Sequence, residues 1–104
     1  MDALQSAADT IQAEANGTPG RVIPLVCDVT DEKAVGKLFD NVAGAYGPCA
    51  LLVNSAGIAV GGPTESLSAA DFSKVMAVNV LGPFVCSKFA FSQMQQHGGG
   101  RIIK

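Results

Sequence analysis

The order of local patterns in this chain predicts an α/β domain with parallel strands, and three observations carry that prediction. Helical apolar spacing alternates with short β-branched runs along the whole chain. Of 104 residues, 48% are hydrophobic and 15% charged, which is too much core for a disordered chain and suits elements covered on both faces. Asn16-Gly17, Gly47-Pro48 and Gly98-Gly99-Gly100 punctuate the patterns where one element should end and the next begin. Helix, strand, helix, strand, helix and the start of a strand follow one another, the order expected of parallel strands joined by right-handed crossovers. The length holds one domain, and no repeat, linker or internal boundary is visible.

The first helix is predicted over residues 2–15, where Leu4, Ala7, Ala8 and Ile11 fall on one face. Residues 21–29, RVIPLVCDV, are β-branched and read as a buried strand, with Pro24 favouring a place near a sheet edge. Thr30 is the expected N-cap of the second helix, with Asp31 and Glu32 in its dipole-favoured first turn. Val35, Leu38, Phe39, Val42 and Tyr46 make its apolar stripe. A second buried strand is expected over ALLVN, 50–54, followed by a Gly-rich loop. Ser68 and Asp71 resemble a capping box, and a long helical pattern runs from about Ala69 to Gln96. RIIK at the end reads as the opening of a third strand.

Composition excludes several function classes. A net charge of −2 with seven scattered basic residues leaves no stripe for nucleic acid. The amphipathic N-terminus, with its acidic residues, has neither the cationic and apolar regions of a signal peptide nor the Arg-rich character of a transit peptide. The longest mostly apolar stretch, Ala77 to Val85, is interrupted by Asn79, Gly82 and Pro83 and is too short to span a bilayer, so no membrane partner is expected. Cys27, Cys49 and Cys86 are odd in number and far apart, the pattern of reduced thiols in the cytoplasm. His97, the one histidine, stands at a helix end beside neither a second histidine nor a cysteine, so no metal site is expected.

Chemistry-bearing residues fall at the carboxyl ends of the strands, where open parallel sheets bind ligands. Asp28 ends the first, and Asn54-Ser55-Ala56-Gly57 ends the second. A carboxylate can accept from an adenine amino group, and an Ala-Gly pair lets backbone approach a flat ligand closely. Each alone could be a helix-capping Asp or an ordinary turn; together, in order and one helix apart, they favour a site. Asn79 is a third candidate. Pro83 lies four residues on and has no N–H, so the carbonyl of Asn79 loses its usual helical donor and is available to a water. Gly57, Gly61 and Gly62 echo a phosphate loop but lack its third spaced glycine and run into Pro63.

LVCDVTD, LLVNSAGI, VMAVNVLGPF and GGGRII, in that order and at those separations, resemble consecutive blocks of the short-chain dehydrogenase/reductase family, and the resemblance covers the whole chain. It implies residues 1–104 are part of an NAD(P)-binding domain truncated at both ends: a partial Rossmann-type doubly wound parallel sheet holding strands 3, 4 and the start of 5 with flanking helices. The implied cofactor is NAD or NADP, and the implied reaction is hydride transfer to or from a carbonyl or alcohol carbon of a small molecule. By the same resemblance Asp28 and Val29 lie beside the adenine, and Asn54, Ser55, Ala56 and Gly57 lie along the cofactor. Ser55 replaces the family's second Asn and keeps one donor and acceptor with less reach. Asn79 matches the asparagine of the family's catalytic set, whose main-chain carbonyl holds a water in a proton relay. The long helix 69–96 implies a homo-oligomer.

The family's glycine motif and its catalytic Ser and Tyr-x-x-x-Lys have no counterpart here. The one tyrosine is Tyr46, with Ala50 four residues on. The chain alone is therefore expected to be inactive, and to be poorly stable, to aggregate, or to repack with the strand at 21–29 against that at 50–54. The alternative is a truncated, non-catalytic isoform acting through the long helix as an interaction module. A third possibility, another doubly wound nucleotide-binding protein, requires the NSAG and Asn79 blocks to match by accident.

Overall fold

The computed structural model describes residues 2–104. Helix α1, Asp2–Glu14, is followed by α2, Glu32–Tyr46, and by strand β1, Leu51–Val53. A long helical rod then comprises α3, Ala69–Met76, a π-turn, Ala77–Leu81, and α4, Gly82–Gln96, and leads to strand β2, Arg101–Ile103. The two strands pair in parallel, Leu51 with Arg101, Leu52 with Ile102 and Val53 with Ile103, so the rod is the crossover between them. The expected α/β class holds, with a short parallel sheet.

The boundaries follow local chemistry. The N-cap of α2 is Asp31, whose carboxylate accepts from the Ala34 N–H at 3.1 Å, one residue later than Thr30. Thr30 is already committed: its hydroxyl and N–H both donate to Asp28 Oδ1, at 2.7 and 2.9 Å. Ser68 and Asp71 form the capping box expected of α3. At the far end, Gly98 and Gly99 have φ of +91° and +110°, and the Gly99 N–H closes the helix on the Met94 carbonyl at 2.6 Å.

The strand expected over 21–29 does not form: these residues carry no sheet hydrogen bonds, and Val26 is 73% exposed. The reason is topological. In the doubly wound order 3-2-1-4-5-6, the third strand has no edge in common with the fourth or fifth. Apolar β-branched composition cannot substitute for a hydrogen-bonding neighbour. Nor does the segment repack against β1, whose partner is β2. It is held instead by side chains, Cys27 and Val29 packing on the core, and by Gln12 of α1, whose Oε1 accepts from the Val22 N–H at 2.7 Å.

The core lies where α2 crosses α4 above β1. Val35, Val85 and Cys86 are its buried centre, surrounded by Cys27, Val29, Phe39, Leu52 and Phe89, with the Phe39 and Phe89 rings stacked at 6.1 Å. Gln93 staples the same layer. Its Nε2 donates to the Phe39 carbonyl at 3.2 Å, and its Oε1 accepts from the Cys49 N–H at 2.9 Å. Lys88 pairs with Glu32 across the α2–α4 seam.

One expectation about the rod requires correction. Residues 69–96, taken as one 28-residue helix, are long and apolar enough to cross a bilayer. The stretch Ala77 to Val85 understated its reach because the interruptions at Asn79, Gly82 and Pro83 do not end the helix. Four of its polar side chains make contacts within this chain: Asn79 to Ile58, Ser87 to Asn54, Lys88 to Glu32 and Gln93 to Cys49. Those bonds pack one side of the rod against the rest of the chain, while Phe72, Val80, Phe84 and Phe91 on it remain exposed.

Candidate functional site

The π-turn is where the rod accommodates its proline. In an α-helix the ring of Pro83 would collide with the carbonyl of Asn79, four residues back. Over Ala77–Leu81 the ladder lengthens instead, and the Gly82 N–H donates to Ala77 O, five residues back. Such single-turn insertions recur at functional positions in helices. The helical pattern expected over 69–96 thus continues through Pro83, with a local change of pitch.

Asn79 sits in this turn, exposed, and its side chain does what the sequence pattern did not reveal. Its Oδ1 accepts from the Ile58 N–H at 2.9 Å and its Nδ2 donates to the Ile58 carbonyl at 2.8 Å. Both backbone groups of one residue are bonded, and their polarity fixes which amide atom is oxygen. The amide thus ties the rod to the loop immediately after Asn54-Ser55-Ala56-Gly57. Neither the apolar character of Ile58 nor any spacing signals this, because the partner is main chain.

Asn54 is half-buried at the end of β1. Its N–H donates to the Ile103 carbonyl at 2.8 Å, and its Nδ2 reaches Ser87 Oγ and Ile103 O, both at 3.4 Å. It therefore joins β1, β2 and α4. Beside it a cleft of about 100 Å³ is lined by Val29, Leu52, Asn54, Ser55, Ala56 and, from the rod, Gly82 and Pro83 among others. The structure thus gathers four of the predicted residues, Val29, Asn54, Ser55 and Ala56, around one opening. Pockets that engulf a ligand run to roughly 300–1,000 Å³, so this cleft is too small to enclose one by itself.

Gly57 lies just beyond, and a β-carbon there would sit 3.5 Å from Asn79 Oδ1, an ordinary contact. The chain's own packing therefore leaves room for a side chain at 57. Asp28 stands apart from the cleft, fully exposed. The Thr30 hydroxyl, and then its N–H, hold the Asp28 carboxyl below its usual value, so it is an ionised acceptor at neutral pH. Asp28 is not the helix cap, which is Asp31; the Asp28 carboxylate instead accepts from Thr30 within the turn 28–30.

A larger groove of about 560 Å³ opens on the other side of Asn79, between the loop after β1 and α3, with Ile58, Leu67, Phe72 and Val75 among its walls. Burial raises the thiol pKa of Cys27, Cys49 and Cys86, with the Asp31 and Asp28 charges adding to the effect at Cys27. All three are unpaired and predominantly protonated at neutral pH, which argues against a reactive thiolate. Among the described residues no group of His, Cys, Asp and Glu could hold a metal ion.

Comparison with known proteins places this arrangement. A family profile described as short chain dehydrogenase matches residues 1–104. D-threitol dehydrogenase of Mycolicibacterium smegmatis is 34% identical over 103 residues, covering 99% of this chain and 40% of that protein. The crystal structure of 2-keto-3-deoxy-D-gluconate dehydrogenase from Streptococcus agalactiae superposes with a TM-score of 0.80 at 30% identity, covering 98% of this chain and 37% of that one. The structure of ElxO with NADP bound superposes at 0.69 and 35% identity, over 73% of this chain and 31% of that one. The chain therefore spans 40% or less of the length of each of these relatives. With its fold, its relatives and a profile match over residues 1–104 in agreement, the chain belongs to the short-chain dehydrogenase/reductase family.

Proposed function

We propose that this chain supplies one part of the dinucleotide site, and the asparagine of the catalytic set, of an NAD(P)-dependent oxidoreductase that moves hydride between the cofactor and a carbonyl or alcohol carbon. The observation that carries this reading is the cleft in which Val29 meets Asn54, Ser55 and Ala56 against the Gly82-Pro83 turn of the rod. In this reading Asp28 and Val29 face the adenine, and the backbone of Ala56 and Gly57 lies along the cofactor. Asn79 has its amide occupied by Ile58, so any role toward a water falls to its main-chain carbonyl, which Pro83 cannot serve as a donor. Bound nicotinamide would supply or accept the hydride; the residues of this chain only bind and orient. NAD and NADP are equally compatible with these residues, because the ElxO complex speaks for ElxO alone.

The proton-transferring Ser and Tyr-x-x-x-Lys belong, in this proposal, to sequence outside residues 1–104, and the chain by itself is inactive. Exposed Phe72, Val80, Phe84 and Phe91 on the rod suit contact with a second copy, and unpaired thiols suit the cytoplasm. Titration of the 104-residue chain with NADH and NADPH is expected to show no binding tighter than millimolar. Saturable micromolar binding would overturn the claim of a partial site. The coding sequence decides the rest: continuation into a Ser…Tyr-x-x-x-Lys segment supports the enzyme, whereas a stop after Lys104 in a stable transcript supports a non-catalytic interaction module built on the same rod.

A further inference from the structure

Gly82 is buried, and it faces Val29 of the first strand-end segment. A β-carbon at this position would fall 2.7 Å from Val29 Cγ2 and 3.2 Å from Val29 Cβ. The first distance lies well inside van der Waals contact. Valine cannot yield by a small rotation, since its branched side chain is stiff at χ1. The backbone of residues 28–30 would have to move. On one side of that contact, Val29 lines the cleft with Ser55 and Ala56; next to it, Asp28 holds Thr30 through two hydrogen bonds. On the other side, Gly82 closes the π-turn that carries Asn79. We propose that Gly82 is a positioning residue for the adenine end of the dinucleotide: by lacking a side chain it lets Val29 seat against the π-turn, which sets the Asp28 carboxylate and the cleft wall at a common distance from Asn79. This rests on the reading that Asp28 and Val29 face adenine.

The test compares the wild-type chain, Gly82→Ala, Val29→Ala and the double variant Val29→Ala/Gly82→Ala by NMR, titrating each with AMP and separately with nicotinamide mononucleotide to tens of millimolar. Exchange of the Thr30 and Asp31 amides is followed in parallel; these donate to Asp28 Oδ1 and to the Asp28 carbonyl at 2.9 and 3.0 Å. AMP should shift resonances at 28–30 in the wild type, and Gly82→Ala should weaken that response about tenfold and speed both amides. Removing the valine methyls in the double variant relieves the 2.7 Å contact but keeps the 3.2 Å one to Cβ, so both readouts should recover most of the way to the Val29→Ala level. The response to nicotinamide mononucleotide should be the same in all four. An unchanged AMP response in Gly82→Ala, an equal loss toward both nucleotides, or a double variant as impaired as Gly82→Ala each overturns the proposal. If AMP has no effect on the wild type while Gly82→Ala still speeds the two amides, the adenine reading fails and the packing stands. If exchange is unaffected as well, the packing claim itself fails. Should Gly82→Ala not fold, recovery of a folded double variant supports the Val29 contact, and its failure to recover counts against it.

Discussion

Replacing Asn79 with alanine removes two hydrogen bonds at once, both to Ile58, at 2.9 and 2.8 Å. A net contribution of about 0.5–1.5 kcal/mol per bond sets the scale. Both groups are solvent-accessible in the folded chain, so water replaces part of the loss, and freeing the amide side chain returns some rotamer entropy. The expected cost is therefore toward the lower end, about 1–2 kcal/mol for the pair, and it falls on the loop after β1 more than on the core. In amide exchange this corresponds to roughly 5–30-fold faster exchange at Ile58, with amides of α2 unchanged. Asn79→Asp provides a sharper version. An ionised aspartate still accepts from the Ile58 N–H but confronts the Ile58 carbonyl with negative charge instead of a donor. Protonation restores an O–H donor, so the loop of this variant should tighten as the pH falls through about 4, the ordinary carboxylate range. The wild type has no such dependence at this position. If Asn79→Ala leaves Ile58 exchange at the wild-type rate, the loop is held by something other than this clamp.

Three further outcomes follow from other contacts. Thr30→Val removes the hydroxyl that chiefly holds the Asp28 carboxyl low, so Asp28 should titrate at higher pH in the variant, nearer its ordinary value, by carboxyl NMR. Because the folded-state value is depressed, this turn stabilises above the unfolded value and loses its contribution as the pH falls through the folded one; equal titration of Asp28 in both proteins refutes the assignment. Burial raises all three thiols, so alkylation at neutral pH should be slower than for an unfolded cysteine, slowest at buried Cys86, and should accelerate at all three sites in urea. Gly100→Ala would set a methyl 2.6 Å from Met94 Cγ and 2.7 Å from the Ala50 carbonyl, which accepts from the Arg101 N–H at 3.0 Å. Overpacking of this kind costs about 1–3 kcal/mol, and the loss of Arg101 amide protection ahead of the helices would show that it falls on the β1–β2 pair.

Helix positions were largely legible in the sequence because their signals are local. A capping box, an apolar stripe and a glycine stop act within one or two turns, and α3, α2 and the end of α4 obey them. The N-cap of α2 falls one residue after Thr30 because Asp28 engages Thr30, a choice between two local hydrogen-bond networks. The segment 21–29 fails as a strand for the opposite reason: its composition is right, but a ladder is a property of two segments.

The site divides along the same line. Which residue types stand at the strand ends, and that Pro83 perturbs the helix at Asn79, can be read from the chain alone, since covalent structure and spacing dictate them. The family follows from the order of the blocks. Tertiary structure alone decided that the perturbation becomes a π-turn, that the Asn79 amide is spent on the main chain of Ile58, and that Gly82 meets Val29. The last two join residues 21 or more positions apart through backbone atoms or a missing side chain, and neither of those carries a sequence signal. Main-chain partners are the same at every residue, and an absent methyl acquires meaning only when something packs against the space it leaves.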